Sequence, residues 1–133
     1  MKHLSLVKAQ TLADLAAIRF NEYRERNPGG IVSSTDFASL VLRDETKEAR
    51  DFRLQVESLS DVEARDAVAL MYIGRGDHLE GDYSPASVKK AFDGFLGLFS
   101  KDSHDQLTGT LLEKTAVMHR YLADGIKRVR GAL

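Results

Sequence analysis

The sequence contains no cysteine, which excludes disulfides, thiolate zinc sites, iron–sulfur clusters and thiol nucleophiles, and suits a reducing compartment. It also lacks an excess of either charge. Nineteen basic residues stand against twenty acidic ones, a formal net charge of −1, so no whole-molecule field draws in nucleic acid or an anionic membrane. Aromatic residues are not interleaved with basic ones, which argues further against a nucleic-acid binder. Long apolar runs are missing as well. Nothing approaches the roughly 20 consecutive apolar residues that span a bilayer, and the apolar start at Leu4 to Val7 is broken by Lys8 and Gln10 before it resembles a signal peptide. These absences make a cytoplasmic protein without a membrane partner the expectation.

The 133 residues and 43% apolar content suit one globular domain with a single core. Apolar residues recur by threes and fours at Leu6, Ala9, Ala13, Ala16, Phe20 and Tyr23, which marks one face of a first helix, and Leu12 and Leu15 widen that stripe. Asn27-Pro28-Gly29-Gly30 stops it. Ser33 or Ser34 can cap a segment carrying Phe37, Leu40 and Val41, and the pattern resumes at Ala49, Phe52, Val56 and Leu59; one helix or two fit residues 34–59 equally. Ser60 with Glu63 forms a capping box. The helix it opens ends in Ala67 to Ile73, apolar on every side and so expected at the centre of the bundle, with Gly74 and Gly76 ending it and Gly74 as the left-handed position.

Ser84-Pro85 starts a further helix with Val88, Ala91, Phe92, Phe95 and Phe99 on one face, and with Gly94 and Gly97 as points of close approach by another helix. From Leu107 to Gly131, Leu111, Thr115, Met118, Leu122, Ile126 and Val129 predict the longest uninterrupted helix. No repeat appears, and no alternation long enough for a sheet. The fold class is therefore all-α, a bundle of five or six helices over residues 1–133.

Leu70-Met71-Tyr72-Ile73-Gly74-Arg75-Gly76-Asp77, taken with Tyr121-Leu122-Ala123-Asp124-Gly125-Ile126, resembles a family of small proteobacterial proteins catalogued as a domain of unknown function. The resemblance runs from about Val62 to Val129. It departs where that family more often carries tryptophan in place of Tyr72, and over the first 60 residues. What it implies is a helical bacterial protein; it brings no activity and no site residue.

Chemistry-bearing side chains gather between Gly74 and Tyr83, where Arg75, Asp77, His78, Glu80 and Asp82 are interspersed with glycines that let a backbone curl round a ligand. Arg75, Asp77, His78 and Asp82 are the candidate ligand-binding residues. Arg75 suits a carboxylate or phosphate, and the acids a hard cation; the plainer reading is a solvated connector with stop and cap residues. The spacing fails the calcium loop, and neither phosphate-loop motif nor G-x-S-x-G is present. None of His3, His78, His104 and His119 pairs as H-x-x-x-H. No catalytic residue, metal ligand or cofactor motif emerges.

The favoured reading is a non-enzymatic interaction or regulatory module with a protein partner still to be identified. The alternative is an anion- or metal-binding or catalytic domain using Arg75 to Asp82. Phe92, Phe95, Leu96, Leu98 and Phe99 extend round more than one helix face and mark a candidate homodimer interface.

Overall fold

The computed structural model describes residues 1–26 and 45–132. Within them lie six helices and no strand: α1 (Leu6–Arg26), α2 (Lys47–Glu57), α3 (Asp61–Arg75), α4 (Pro85–Leu98), α5 (His104–Leu112) and α6 (Met118–Val129). They form an all-α bundle round one apolar core. None of the described helices is long and apolar enough to cross a membrane. The stop expected at residues 27–30 and the segment carrying Phe37, Leu40 and Val41 lie outside the described residues.

Four helices begin where a hydroxyl accepts the backbone N–H three residues on: Thr46 for α2, Ser60 for α3, Ser84 for α4 and Ser103 for α5. Each bond satisfies a donor that the first helical turn leaves free. Ser60 with Glu63, and Ser103 with Gln106, close full capping boxes. Thr46 also shows that Phe52 and Val56 belong to a helix with its own start at Lys47.

The central element is α3, which packs on α4, α5 and α6, while α1 packs on α2 and α6. Ala67 to Met71 and Ile73 are buried, as the apolar run predicts, and only Tyr72 in that stretch is half-exposed. Of the two glycines expected to end the helix, Gly74 is not the left-handed one. It lies inside α3, and the left-handed residue beyond the last turn is Gly76, with φ of 93°. A Cβ on Gly74 would sit 1.6 Å from the carbonyl oxygen of Tyr121, and one on Gly125 would sit 2.3 Å from that of Leu70. The two glycines let the backbones of α3 and α6 touch.

The expected long last helix is also corrected. It breaks between Leu112 and Met118, where Glu113 is extended and Lys114 is left-handed with φ of 59°, so α1, with 21 residues, is the longest. Doubling back lets α5 and α6 both lie against α3, burying Leu107 and Leu111 from one and Leu122 and Ile126 from the other. On α1 the buried stripe is Ala9, Leu12, Ala13 and Ala16, on the predicted face, and it continues to Arg19, while Leu6 is 44% exposed and Phe20 and Tyr23 are half-buried.

Three arginines close helix C-termini other than their own. Arg128 donates to the carbonyls of Ile73 and Gly74 at 2.7 and 2.9 Å, Arg65 to that of Phe99 at 3.0 Å, and Arg19 to that of Leu112 at 3.1 Å. Arg128, near the basic end of α6, thus serves the terminus of α3. Buried Asp66 accepts the backbone N–H groups of His3 and Leu4 at 2.6 and 2.9 Å, fastening the N-terminal residues to α3.

Candidate functional site

The connector from Gly76 to Tyr83 curls about a buried Leu79. Left-handed backbone occurs four times in it, at Gly76 and Gly81 and also at His78 (φ of 63°) and Glu80 (φ of 50°). For non-glycine residues that conformation costs on the order of 1 kcal/mol or more, and the surrounding contacts must hold it. The His78 ring lies on Phe95 of α4, with centroids 4.8 Å apart and planes 13° from parallel.

Three of the candidate polar side chains have partners: Arg75 and Asp77 bind each other, and Asp82 binds the start of α4. The guanidinium of Arg75 donates from Nε and Nη2 to the two oxygens of Asp77 at 2.8 and 2.7 Å, and it lies over the Tyr72 ring. The bonds to Asp77 push Arg75 above its ordinary pKa. Asp82 accepts from the Ser87 hydroxyl at 2.6 Å and the Ser84 backbone N–H at 3.0 Å. Those bonds, Ser87 first, hold its carboxyl below the ordinary value and secure the start of α4. Among the described residues no group of three histidine, aspartate or glutamate side chains converges as a metal site would require.

An open groove of about 560 Å³ runs between the connector and α4. His78, Glu80 and Asp82 form one wall; Ser87, Lys90 and Gly94 form the other. His78 and Asp82 therefore share a site, as the sequence suggests, while Arg75 and Asp77 bind each other beside it. Along α4, Phe92 and Phe95 point into the chain's own core, and Leu96 and Phe99 are half-buried against it. Of the five interface candidates only Leu98 is fully presented, at 65% exposure. Beyond the adjoining turns of α4 itself, no described residue comes within 4 Å of where a Cβ would stand on Gly94 or Gly97, so the helix expected to approach them is not among the described parts of this chain.

The remaining histidines are separate from the groove. The Nε2 of His104 lies 2.8 Å from the Leu59 carbonyl, and His104 opens α5 as a helix start. His119 stacks on Phe20 at 4.4 Å, its Nδ1 buried without a hydrogen-bond partner among the described residues. Burial first, then the charges of Arg120 and Arg19, hold its pKa below the ordinary value.

Sequence reasoning missed Arg19, which is only 7% exposed. Its position three residues after Ala16 on the buried face was the available signal, overlooked because long basic side chains usually lift their charge to solvent. Comparison with protein-family models, curated proteins and solved structures finds no match to this chain, so the site is argued from its geometry.

Proposed function

We propose that this chain is a non-enzymatic interaction or regulatory module of the bacterial cytoplasm, acting as a homodimer through the flank of α4 that borders the groove. One observation carries the reading: a knob and a hole stand one helical turn apart on the same helix. Leu98 projects with 65% exposure, and the space over Gly94 is open. A twofold contact presents the same patch on both protomers, so the Leu98 of each can seat over the Gly94 of the other.

The rest of the fold supports this use. Glycine inside a helix costs about 1 kcal/mol relative to alanine. At Gly74 and Gly125 that cost is offset by direct contact of backbones, whereas at Gly94 and Gly97 no described part of the chain supplies the contact. Against an anion clamp in the connector stands the Arg75 fork, already closed by Asp77.

Light scattering tests the proposal. The wild-type protein is expected at twice the 14.8 kDa chain mass at micromolar concentration or above. Leu98→Asp buries an unpaired charge at the contact, and Gly94→Leu fills the hole while leaving the protomer's described neighbours untouched. Both variants are expected to return the monomer with unchanged circular dichroism. A wild-type monomer throughout the micromolar to millimolar range, or dimers in both variants, would overturn the reading.

A further inference from the structure

The turn between α5 and α6 is built unlike the other described turns. Helices α2, α3, α4 and α5 each start on a hydroxyl cap, whereas α6 starts at Val117 with no side-chain bond to its first N–H groups. Residues 113–117, Glu-Lys-Thr-Ala-Val, include no glycine, proline or asparagine, the residues that ordinarily end a helix and reverse the chain. Lys114 takes the left-handed conformation in their place, with φ of 59°, against the steric resistance of its own Cβ.

The sequence on both sides of this turn still carries one helical pattern. Leu107, Leu111, Thr115, Met118, Leu122, Ile126 and Val129 follow by threes and fours straight through it, and all but Thr115 are buried. What holds the turn shut comes from outside it. Arg19 donates to the Leu112 carbonyl at 3.1 Å, which the Ala116 N–H would take in a continuous helix. Helix α6 lies on α1 and α3, with Gly125 against the Leu70 carbonyl. A second copy of the chain offers the same α1 and α3 surface, Gly74 included.

We infer that α6 is an exchangeable element: the turn at 113–117 straightens, α5 and α6 join in one helix over residues 104–129, and the α6 of each of two copies docks on α1 and α3 of the other. Exchange of an identical element gives up no contact of its own kind. It releases Lys114 from left-handed backbone in both copies and hands the Leu112 carbonyl to a helical N–H. Against it stand the freedom lost when two chains associate and the bond from Arg19. High protein concentration therefore favours the exchanged dimer. Because α6 must first leave α3, exchange is as slow as unfolding, and protein kept under native conditions stays unexchanged. This dimer does not rest on the α4 contact.

The test uses the full chain carrying Leu98→Asp, so that the α4 contact does not supply the dimer. Equal amounts of ¹³C-labelled and unlabelled protein are mixed at millimolar concentration, held in urea at the unfolding midpoint, returned to buffer and separated by size. A dimer is expected, with a nuclear Overhauser signal from the Leu70 side chain of one copy to the Gly125 α protons of the other, two groups that touch within a single chain in the closed form. Lys114→Gly removes the Cβ that resists the turn and weakens the straight helix. With two turns per dimer, it is expected to lower the dimerisation constant at least ~10-fold. Monomer alone after the urea step, a dimer without the cross-copy signal, or an unchanged constant in Lys114→Gly overturns the proposal. Failure of the α4 reading is separable, because that reading is tested on protein never exposed to urea.

Discussion

Replacing Gly74 by alanine adds one methyl group to a protein with many, yet it should be among the most damaging single changes available. The new Cβ would stand 1.6 Å from the Tyr121 carbonyl oxygen, 2.6 Å from its carbon and 2.8 Å from the Gly125 nitrogen. All three are backbone atoms, so no side chain can rotate aside. Restoring ordinary contact requires α3 and α6 to part by roughly 2 Å, which loosens the packing of buried Leu70, Leu122 and Ile126 and strains the bonds from Arg128 to Ile73 and Gly74. Overpacking alone costs about 1–3 kcal/mol; with loss of contact along the crossing, we expect about 3 kcal/mol or more. Gly109→Ala is the control, because it sits inside α5 with nothing within 4 Å of the added carbon and should gain up to ~1 kcal/mol from helix propensity. Urea denaturation followed by circular dichroism gives both values from the midpoints, provided the slopes agree. A Gly74→Ala protein within about 1 kcal/mol of wild type would refute the view that these backbones touch.

Two further outcomes follow from the core and from one histidine. Leu70→Ala and Met71→Ala, both at fully buried positions, should each lose about 2–5 kcal/mol in the same denaturation assay; near-zero losses would place the run at a surface. Because burial holds His119 below its ordinary pKa, the unfolded chain takes up a proton at a higher pH than the folded one. Stability from this group is complete above about pH 6.5 and declines as the pH falls below it. His119→Phe keeps an aromatic ring against Phe20 and should flatten that part of the pH profile; an unchanged slope between pH 7.5 and 5.5 would contradict the assignment.

The candidate site was legible in part. His78 and Asp82 do border one groove, because a short connector between two capped helices keeps its residues close. That Asp77 would occupy Arg75 depends on side-chain geometry no spacing rule encodes. The five apolar candidates on α4 were read as surplus, but three other elements of the bundle surround that helix more fully than one stripe implies: α3 and α6 pack on it, and the connector lays His78 across Phe95. Only Leu98 stays outside.

What the sequence alone determined is the helical class and most helix starts. A cap is a hydrogen bond between residues three apart, so Ser60 with Glu63 and Ser84 with Pro85 carry their meaning locally. The break at Glu113 to Val117 has no such mark, since α6 begins without a side-chain cap, and it was decided by two apolar faces both finding room on α3. Gly74 could be read as a stop or as a crossing point; the choice rests on Gly125, 51 positions away in the chain, whose matching lack of a side chain allows the two backbones to meet. The burial of Arg19 was settled in the same way, by the Phe52 ring and the Leu112 carbonyl brought to it from distant segments. How closely helices approach, and what an inward charge meets there, are properties of packing between segments that no local pattern records.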